Sequence, residues 1–208
     1  MTGPRPQGRP RASECRIGRE KLLEKAREAM GRPPRTELQR RDVADIAGVT
    51  PALVNYYFPE KWLLIEAAAL PIIEDYVAKV TELVDSDADH IDKLRGLIHI
   101  YLVFNEDNGF LLEYYIDAMF RQNDAEGIRL LWRTHAKITC HIQDLVRRGD
   151  MREVNPELIN SVLWGICRYV AGQSRDRASG LFPGEDTHDP RAHRSRVICD
   201  LLLNGLIP

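Results

Sequence analysis

Residues 43–64 read VADIAGVTPALVNYYFPEKWLL, a largely apolar segment with a single glycine inside it. The glycine, Gly48, is expected to end one short helix. Thr50 is expected to cap the next helix, with Pro51 at its first position, where the missing N–H has no consequence. Two short helices joined by a tight glycine turn predict a helix-turn-helix, which we expect between about residues 36 and 58.

The sequence on both sides of this segment predicts helices and no strands, so the fold class is expected to be all-α. Thr36, followed by Gln39 three residues later, predicts a capping box at the start of the second helix. A long fourth helix over residues 61–84 contains Pro71, which is expected to kink it. The other helices are expected over residues 16–30, 91–105, 110–122, 125–148, 156–172 and 190–204. The polar segment 173–188 between the last two is expected to be mobile.

Charge is unevenly distributed along the 208 residues. The net charge is only −2, but residues 1–61 carry +5 and residues 62–208 carry −7. A basic N-terminal part on an acidic body favours a polyanionic partner at that end. No segment has the length of a membrane span or the apolar core of a signal peptide, so we expect no membrane contact and a cytoplasmic location.

The pattern of reactive side chains argues against an enzyme or a metalloprotein. The four cysteines contain no CxxC pair and are expected to be reduced, mostly buried thiols. His135, Cys140 and His141 fall on different faces of a helix, which disfavours a metal site. There is also no Gly-rich phosphate loop, paired carboxylates or nucleophile with a base. We therefore expect no catalytic residue, no metal and no cofactor.

The run from Val43 to Leu64 resembles the signature of the TetR family of bacterial transcriptional regulators. The shared features are Val43-Ala44, the sequence Ala47-Gly48-Val49-Thr50, the aromatic run that ends at Phe58, and Lys61 at the start of helix four. The resemblance implies an N-terminal three-helix DNA-binding domain joined by a long helix to a C-terminal ligand-binding and dimerisation domain. The implied division is a flexible basic arm at 1–14, a DNA-binding domain at 15–60 and an effector-binding and dimerisation domain at 61–208.

The resemblance also implies which residues contact DNA, when the family's contact positions are matched one by one to this sequence. Three residues at the start of the recognition helix meet base edges: Thr50, Pro51 and Ala52. Tyr57 and Lys61 match positions that hold the phosphate backbone.

Two positions depart from the family pattern. Asn55 replaces the usual Tyr and is able to pair with an adenine edge or to reach a phosphate. Arg40 replaces an apolar residue, and Arg40 and Arg41 are candidate phosphate contacts. Tyr56 either contacts DNA or packs on helix one. The arm at 7–11 is either a minor-groove hook or a solvated tail.

The resemblance also implies an effector pocket in the central helices and a dimer interface on the last two. Polar or aromatic groups among apolar positions are the pocket candidates: Tyr76, His99, Tyr101, Phe104, Tyr114, Tyr115, Trp132, His135 and Thr139. A hydrogen-bonded core histidine is the alternative for His135, and core packing is the alternative for the aromatics. Apolar stripes on the last two helices are the interface candidates: Ile159, Val162, Leu163, Ile166, Val170, Val197, Ile198, Leu201 and Leu202.

These features predict a ligand-responsive regulator, with repression the commoner habit of the family. As a homodimer it binds a palindromic double-stranded DNA operator, and an unknown small-molecule effector shifts it away from the DNA. We expect helix four, bent at Pro71, to transmit pocket filling to the two heads. The alternatives are a helical small-molecule-binding protein with weak or lost DNA binding, and a helical enzyme.

Overall fold

The computed structural model describes residues 18–31, 38–120, 125–173, 181–182 and 188–206. The regular secondary structure within these ranges is helical, with no strand. The all-α prediction is confirmed. The helices are α1 Arg19–Met30, α2 Arg40–Ala47, α3 Pro51–Tyr57, α4 Lys61–Asp85, α5 His90–Met119, α6 Glu126–Arg148, α7 Pro156–Ala171 and α8 Pro190–Leu206.

Helices α1 to α3 form a small N-terminal head around the predicted turn. Gly48 ends α2 in the left-handed conformation at φ 68°, which glycine adopts without the penalty that a side chain brings. Thr50 is the N-cap of α3 and Pro51 its first residue, as predicted. The apolar face of the head is closed by Val54 and Phe58, both buried. The helix-turn-helix prediction is therefore confirmed.

Helix α2 begins later than predicted. Gln39 is its N-cap, and the backbone N–H of Gln39 donates to the Asp42 carboxylate at 2.7 Å. The expectation that Thr36 caps this helix is wrong, because the Gln39–Asp42 pair supplies the start signal instead; Thr36 itself lies outside the described residues. So does the basic arm at 1–14. Leu38, just before α2, is buried and its N–H donates to the Tyr114 hydroxyl at 2.9 Å.

Helix α5 is continuous over 30 residues, so the predicted break between residues 105 and 110 is wrong. Residues at the predicted break contact other helices instead. Glu106 accepts from Arg191 at 2.8 Å and from Arg194 at 2.9 Å, both on α8. Gly109 is buried beside the Arg168 guanidinium. Tertiary contacts therefore override the local preference for a break.

Helix α4 joins the head to the body and packs against α1 on one side and against α5 and α6 on the other. Leu64, Ala68, Ile73 and Val80 are completely buried and belong to one continuous apolar core. Pro71 lies inside the helix, which continues through it to Asp85, so the expected kink stays a prediction. Among the described residues, no helix is both long and apolar enough to cross a membrane.

Candidate functional sites

The outer face of α3 is exposed to solvent. Thr50, Pro51, Ala52 and Asn55 are all exposed. Tyr56 is 78% exposed, which excludes the alternative that it packs on helix one. The face therefore offers small side chains, an amide and one phenol to a groove, while Val54 and Phe58 on the opposite side anchor the helix.

Tyr57 and Lys61 flank this face on the side of helix α4. Tyr57 is half-buried, and its ring meets that of Tyr56 edge-on with centroids 5.2 Å apart. Lys61 is half-buried and is the first residue of α4. A helix N-terminus presents unpaired N–H groups that favour an anion, so this corner suits a backbone phosphate.

Arg40 is tied into the head. Its Nη1 donates to the Phe58 carbonyl at 3.2 Å and also contacts the Pro59 carbonyl. This arrangement explains an arginine where the family pattern has an apolar residue, because the guanidinium joins the start of α2 to the end of α3. Arg41, the next residue, is exposed, and its Nε lies 3.9 Å from an Asp45 carboxylate oxygen. Of the two candidate phosphate contacts, Arg41 is the more available.

The two arginines are expected to respond differently to alanine. Arg40→Ala removes charge-assisted bonds to two carbonyls and is expected to lower the free energy of unfolding by about 1–2 kcal/mol. Arg41→Ala is the matched control on the exposed side and is expected to change it by less than about 0.5 kcal/mol. Urea unfolding followed by circular dichroism measures both. Equal effects would contradict the role assigned to Arg40.

A cavity of about 300 Å³ lies among helices α4 to α7. Four of the predicted pocket residues line it, namely Tyr76, Tyr101, Trp132 and His135. The lining residues that the sequence did not suggest for a pocket are Leu112, Ile116, Phe120, Ile128, Leu131, Ile138, Asn160, Ser161 and Trp164. The wall is therefore mostly aromatic and aliphatic, with a few polar groups.

The polar groups of the wall form one connected network. The Tyr101 hydroxyl donates to Asn160 Oδ1 at 2.8 Å, and Asn160 Nδ2 lies 3.1 Å from His135 Nδ1 and 3.3 Å from Thr139 Oγ1. His135 Nε2 lies 2.7 Å from a Glu157 carboxylate oxygen. If His135 Nδ1 accepts from the amide, the proton sits on Nε2 and is donated to Glu157. His135 is thus both hydrogen-bonded and part of the wall.

The two tyrosines of the wall are un-ionised phenols. Burial raises the pKa of Tyr76 and raises the pKa of Tyr101 well above its usual value. The Tyr101 ring meets the Trp164 ring edge-on with centroids 5.2 Å apart. The ring centroids of Tyr76 and Phe104 are 4.6 Å apart. Asn160 is only 2% exposed. Its amide is held in one orientation, because Oδ1 accepts from Tyr101 and Nδ2 is bonded to His135 and Thr139.

Five of the predicted pocket residues do not line the cavity. His99 is exposed, because it lies on the side of α5 that carries the exposed Asp92 and Arg95. Phe104 is buried behind Tyr76, and Thr139 contributes only as a partner of Asn160. Tyr114 binds the Leu38 N–H of the head.

Tyr115, the fifth of these residues, joins three helices instead. Its hydroxyl donates to Glu66 Oε2 at 2.6 Å, and Glu66 Oε1 accepts from the Gly127 N–H at 3.0 Å. Burial, and then the bond to Glu66, raise the pKa of Tyr115. Glu66 on α4 therefore holds α5 and the first turn of α6 together.

The predicted interface residues of α7 and α8 divide into three groups by burial. Four are buried within the protomer and pack on its own core: Ile159, Leu163, Val170 and Ile198. Val162 and Leu201 are 43% and 69% exposed. Ile166, Val197 and Leu202 are half-buried. The sequence periodicity identified the apolar helices but did not separate the inward face from the outward one.

The outward face of α7 carries apolar residues that the sequence analysis missed. Leu158 is 59% and Tyr169 62% exposed, and together with Val162 and Gly165 they follow a spacing of four, seven and eleven residues from Leu158. A stripe at this spacing lies on one side of a helix. A Cβ added at Gly165 would meet no atom within 4 Å. This face is uncovered in the protomer.

The cysteines are only partly as expected. Cys167 and Cys199 are buried, but Cys140 is exposed, and Cys15 lies outside the described residues. Burial raises the pKa of Cys167 to about 12, so its thiol stays protonated. Within the described ranges, no three His, Cys, Asp or Glu side chains are grouped to hold a metal ion.

Known proteins resemble this chain in sequence and in fold. No protein-family model matches the chain. The nucleoid occlusion factor SlmA of Shewanella pealeana is 25% identical over 155 residues, which cover 74% of this chain and 78% of SlmA.

Solved structures match nearly the whole chain. The ketosteroid transcriptional regulator KstR2 of Mycobacterium tuberculosis superposes with a TM-score of 0.73 at 16% identity, covering 93% of this chain and 97% of KstR2. The TetR-family regulator PfmR of Thermus thermophilus has a TM-score of 0.68 at 18% identity and covers 88% of this chain and 97% of PfmR.

Proposed function

From the TetR-family regulator fold that this chain has, we propose that it is a transcriptional repressor that binds a palindromic DNA operator as a homodimer and releases it on binding a small-molecule effector. The observation that carries the proposal is the outer face of α3, which is exposed while Val54 and Phe58 on its opposite side are buried in the head. An exposed short helix after a tight turn has the shape that enters a major groove.

The chemistry of α3 supports a division of labour between base edges and phosphates. Thr50, Pro51, Ala52 and Asn55 are exposed at its start and middle and face the bases. The Asn55 amide has the donor and acceptor pattern that matches the N6 and N7 edge of adenine. Tyr56, Tyr57, Lys61 and Arg41 face the phosphate backbone, and Arg40 supports the head from within.

Selection of binding sites from random double-stranded DNA tests this proposal. We expect two inverted half-sites to be enriched, because a two-fold dimer presents two equivalent α3 helices. Asn55→Ala is expected to relax the preference at one adenine-containing position in each half-site. Recovery of no common sequence would overturn the proposal.

Dimerisation is proposed through the outward faces of α7 and α8. The exposed apolar residues Leu158, Val162 and Tyr169 of α7 and Leu201 of α8 would be covered by the same residues of a second copy. A two-fold interface is self-complementary, so a single apolar stripe serves both protomers. The buried face of each helix meanwhile holds it to its own protomer.

A charge on this stripe is expected to separate the dimer. Val162→Asp combined with Leu201→Asp places carboxylates where apolar contacts are proposed, so we expect the protein to sediment as a monomer and to lose at least about 10-fold in operator affinity. Because both side chains are exposed in the protomer, the free energy of folding of each protomer should change little. Ala136→Asp, on the exposed side of α6, is the control. A double variant that remains dimeric would contradict this interface.

Effector response is proposed to pass from the cavity to the head through Glu66. Helix α6 lines the cavity with Ile128, Leu131, Trp132, His135 and Ile138, and its first turn is bound to Glu66 of α4. Displacement of α6 by a guest is therefore transferred to the helix that begins next to α3. An effector that binds the displaced arrangement 10-fold better stabilises it by about 1.4 kcal/mol relative to the DNA-binding one.

The sequence similarity to SlmA favours a second candidate function, in which the protein is a nucleoid occlusion factor that binds DNA through the same α3. The selected DNA sequence separates the two. Matches confined to promoter regions would support the repressor, whereas many matches spread over the chromosome would support nucleoid occlusion.

A further inference from the structure

The wall of the cavity carries no formal charge in the part of the chain that the structure describes. Its lining contains no Lys, Arg, Asp or Glu, and the one charged group that reaches it, Glu157, does so only through His135. The two phenols of the wall, Tyr76 and Tyr101, are un-ionised. An anionic guest would lose its hydration without gaining a cation, which is strongly unfavourable. The wall therefore selects against carboxylates, phosphates and anionic phosphate esters.

The same wall offers apolar rings and one polar point. Tyr76, Tyr101, Phe120, Trp132 and Trp164 contribute aromatic surface. At the Asn160 end, the Tyr101 hydroxyl, the Asn160 amide and the His135 ring lie within hydrogen-bond distance of one another in a chain. Both Asn160 Nδ2 protons are already directed at His135 and Thr139. The Asn160 carbonyl oxygen and the Tyr101 hydroxyl oxygen, in contrast, each have a lone pair left to accept with. The network is thus able to accept one more hydrogen bond, from a guest that donates.

We propose, resting on the effector site of the proposed function, that the effector is an uncharged ring compound with a single hydroxyl group that donates to the carbonyl oxygen of Asn160. At interior packing density a cavity of about 300 Å³ holds on the order of 10–15 non-hydrogen atoms. The guest therefore has the size of two fused or linked rings. Stacking and edge contacts with the aromatic wall supply affinity, and the Asn160 network supplies selectivity.

Three probes with one skeleton test the proposal at neutral pH: naphthalene, 2-naphthol and 2-naphthoate. Quenching of tryptophan fluorescence gives the dissociation constants, because Trp132 and Trp164 line the cavity. We expect 2-naphthol to bind at least 10-fold more tightly than 2-naphthoate and at least 3-fold more tightly than naphthalene. This comparison uses the wild-type protein and does not depend on the folding of a variant.

Substitutions in the cavity wall test whether the wall determines the preference among the three probes. Asn160→Leu is expected to equalise 2-naphthol and naphthalene while naphthalene still binds. Asn105→Leu is the control, since Asn105 is a buried asparagine of α5 that does not line the cavity, and it should keep the wild-type preference. Leu131→Lys places a cation on the wall and is expected to improve 2-naphthoate binding at least 10-fold.

Each contrary outcome overturns the inference. Binding of 2-naphthoate as tight as that of 2-naphthol would refute the uncharged class, and so would an Asn160→Leu protein that retains the 2-naphthol preference. Binding of none of the three probes would refute the ring compound. In all of these cases the proposed DNA-binding function is judged separately, by the selection of DNA sites.

Discussion

Replacing Tyr57 and Lys61 together by alanine is expected to weaken operator binding by at least about 100-fold. Both residues flank the exposed face of α3, and Lys61 is at the N-terminus of α4, where a phosphate is favoured. Loss of one cationic contact also reduces the salt dependence, so the slope of log K against log salt should fall by about 1. Fluorescence anisotropy of a labelled operator at several salt concentrations measures both quantities.

Two controls separate contact from folding in this experiment. Lys79→Ala removes an exposed lysine of α4 that is paired with Asp75 far along the helix, and it should leave operator affinity unchanged. Tyr57→Phe with Lys61→Gln keeps the half-buried side-chain volume, so it should retain the wild-type stability and still bind DNA more weakly. Wild-type affinity in either double variant would refute the phosphate contacts.

Gly127→Ala is expected to destabilise the protein by about 2 kcal/mol, although alanine normally favours a helix over glycine. A Cβ at this position would overlap the Tyr115 hydroxyl and lie 2.8 Å from Ile73 Cδ1. These atoms are held in place, because the Tyr115 hydroxyl is bonded to Glu66 and Ile73 is completely buried. Guanidinium unfolding gives the change in free energy.

A double-mutant cycle identifies the source of this destabilisation. Tyr115→Phe removes the hydroxyl that the new methyl group would overlap, so Gly127→Ala should be less destabilising in the Tyr115→Phe protein than in the wild type by about 1 kcal/mol. Additive effects of the two changes would contradict the close approach of α6 to α5 described here.

The head was predictable because its signals are local. Gly48, Thr50 and Pro51 specify the end of α2 and the start of α3 through their own backbone preferences, whatever surrounds them. The start of α2 was predicted wrongly because the local sequence contains two plausible capping pairs, Thr36–Gln39 and Gln39–Asp42. Only packing distinguishes them.

The cavity was only partly predictable, because lining depends on which face of each helix meets its neighbours. Tyr101 and Tyr115 both lie on the buried side of α5, yet one reaches Asn160 and the other Glu66. The missed Asn160 did carry a signal, since it is a polar residue directly beside the apolar stripe of Ile159 and Leu163. On α7 the inward and outward stripes are both apolar, so periodicity alone does not identify the dimer face.

The central claim, that α3 binds DNA, is tested most directly by titrating the wild-type protein against the DNA upstream of its own gene. The account predicts saturable binding that weakens steeply with salt, is at least about 10³-fold tighter than binding to unrelated DNA, and is reduced by the Tyr57 and Lys61 substitutions. Equal, weak binding to both DNAs that these substitutions do not change would contradict it.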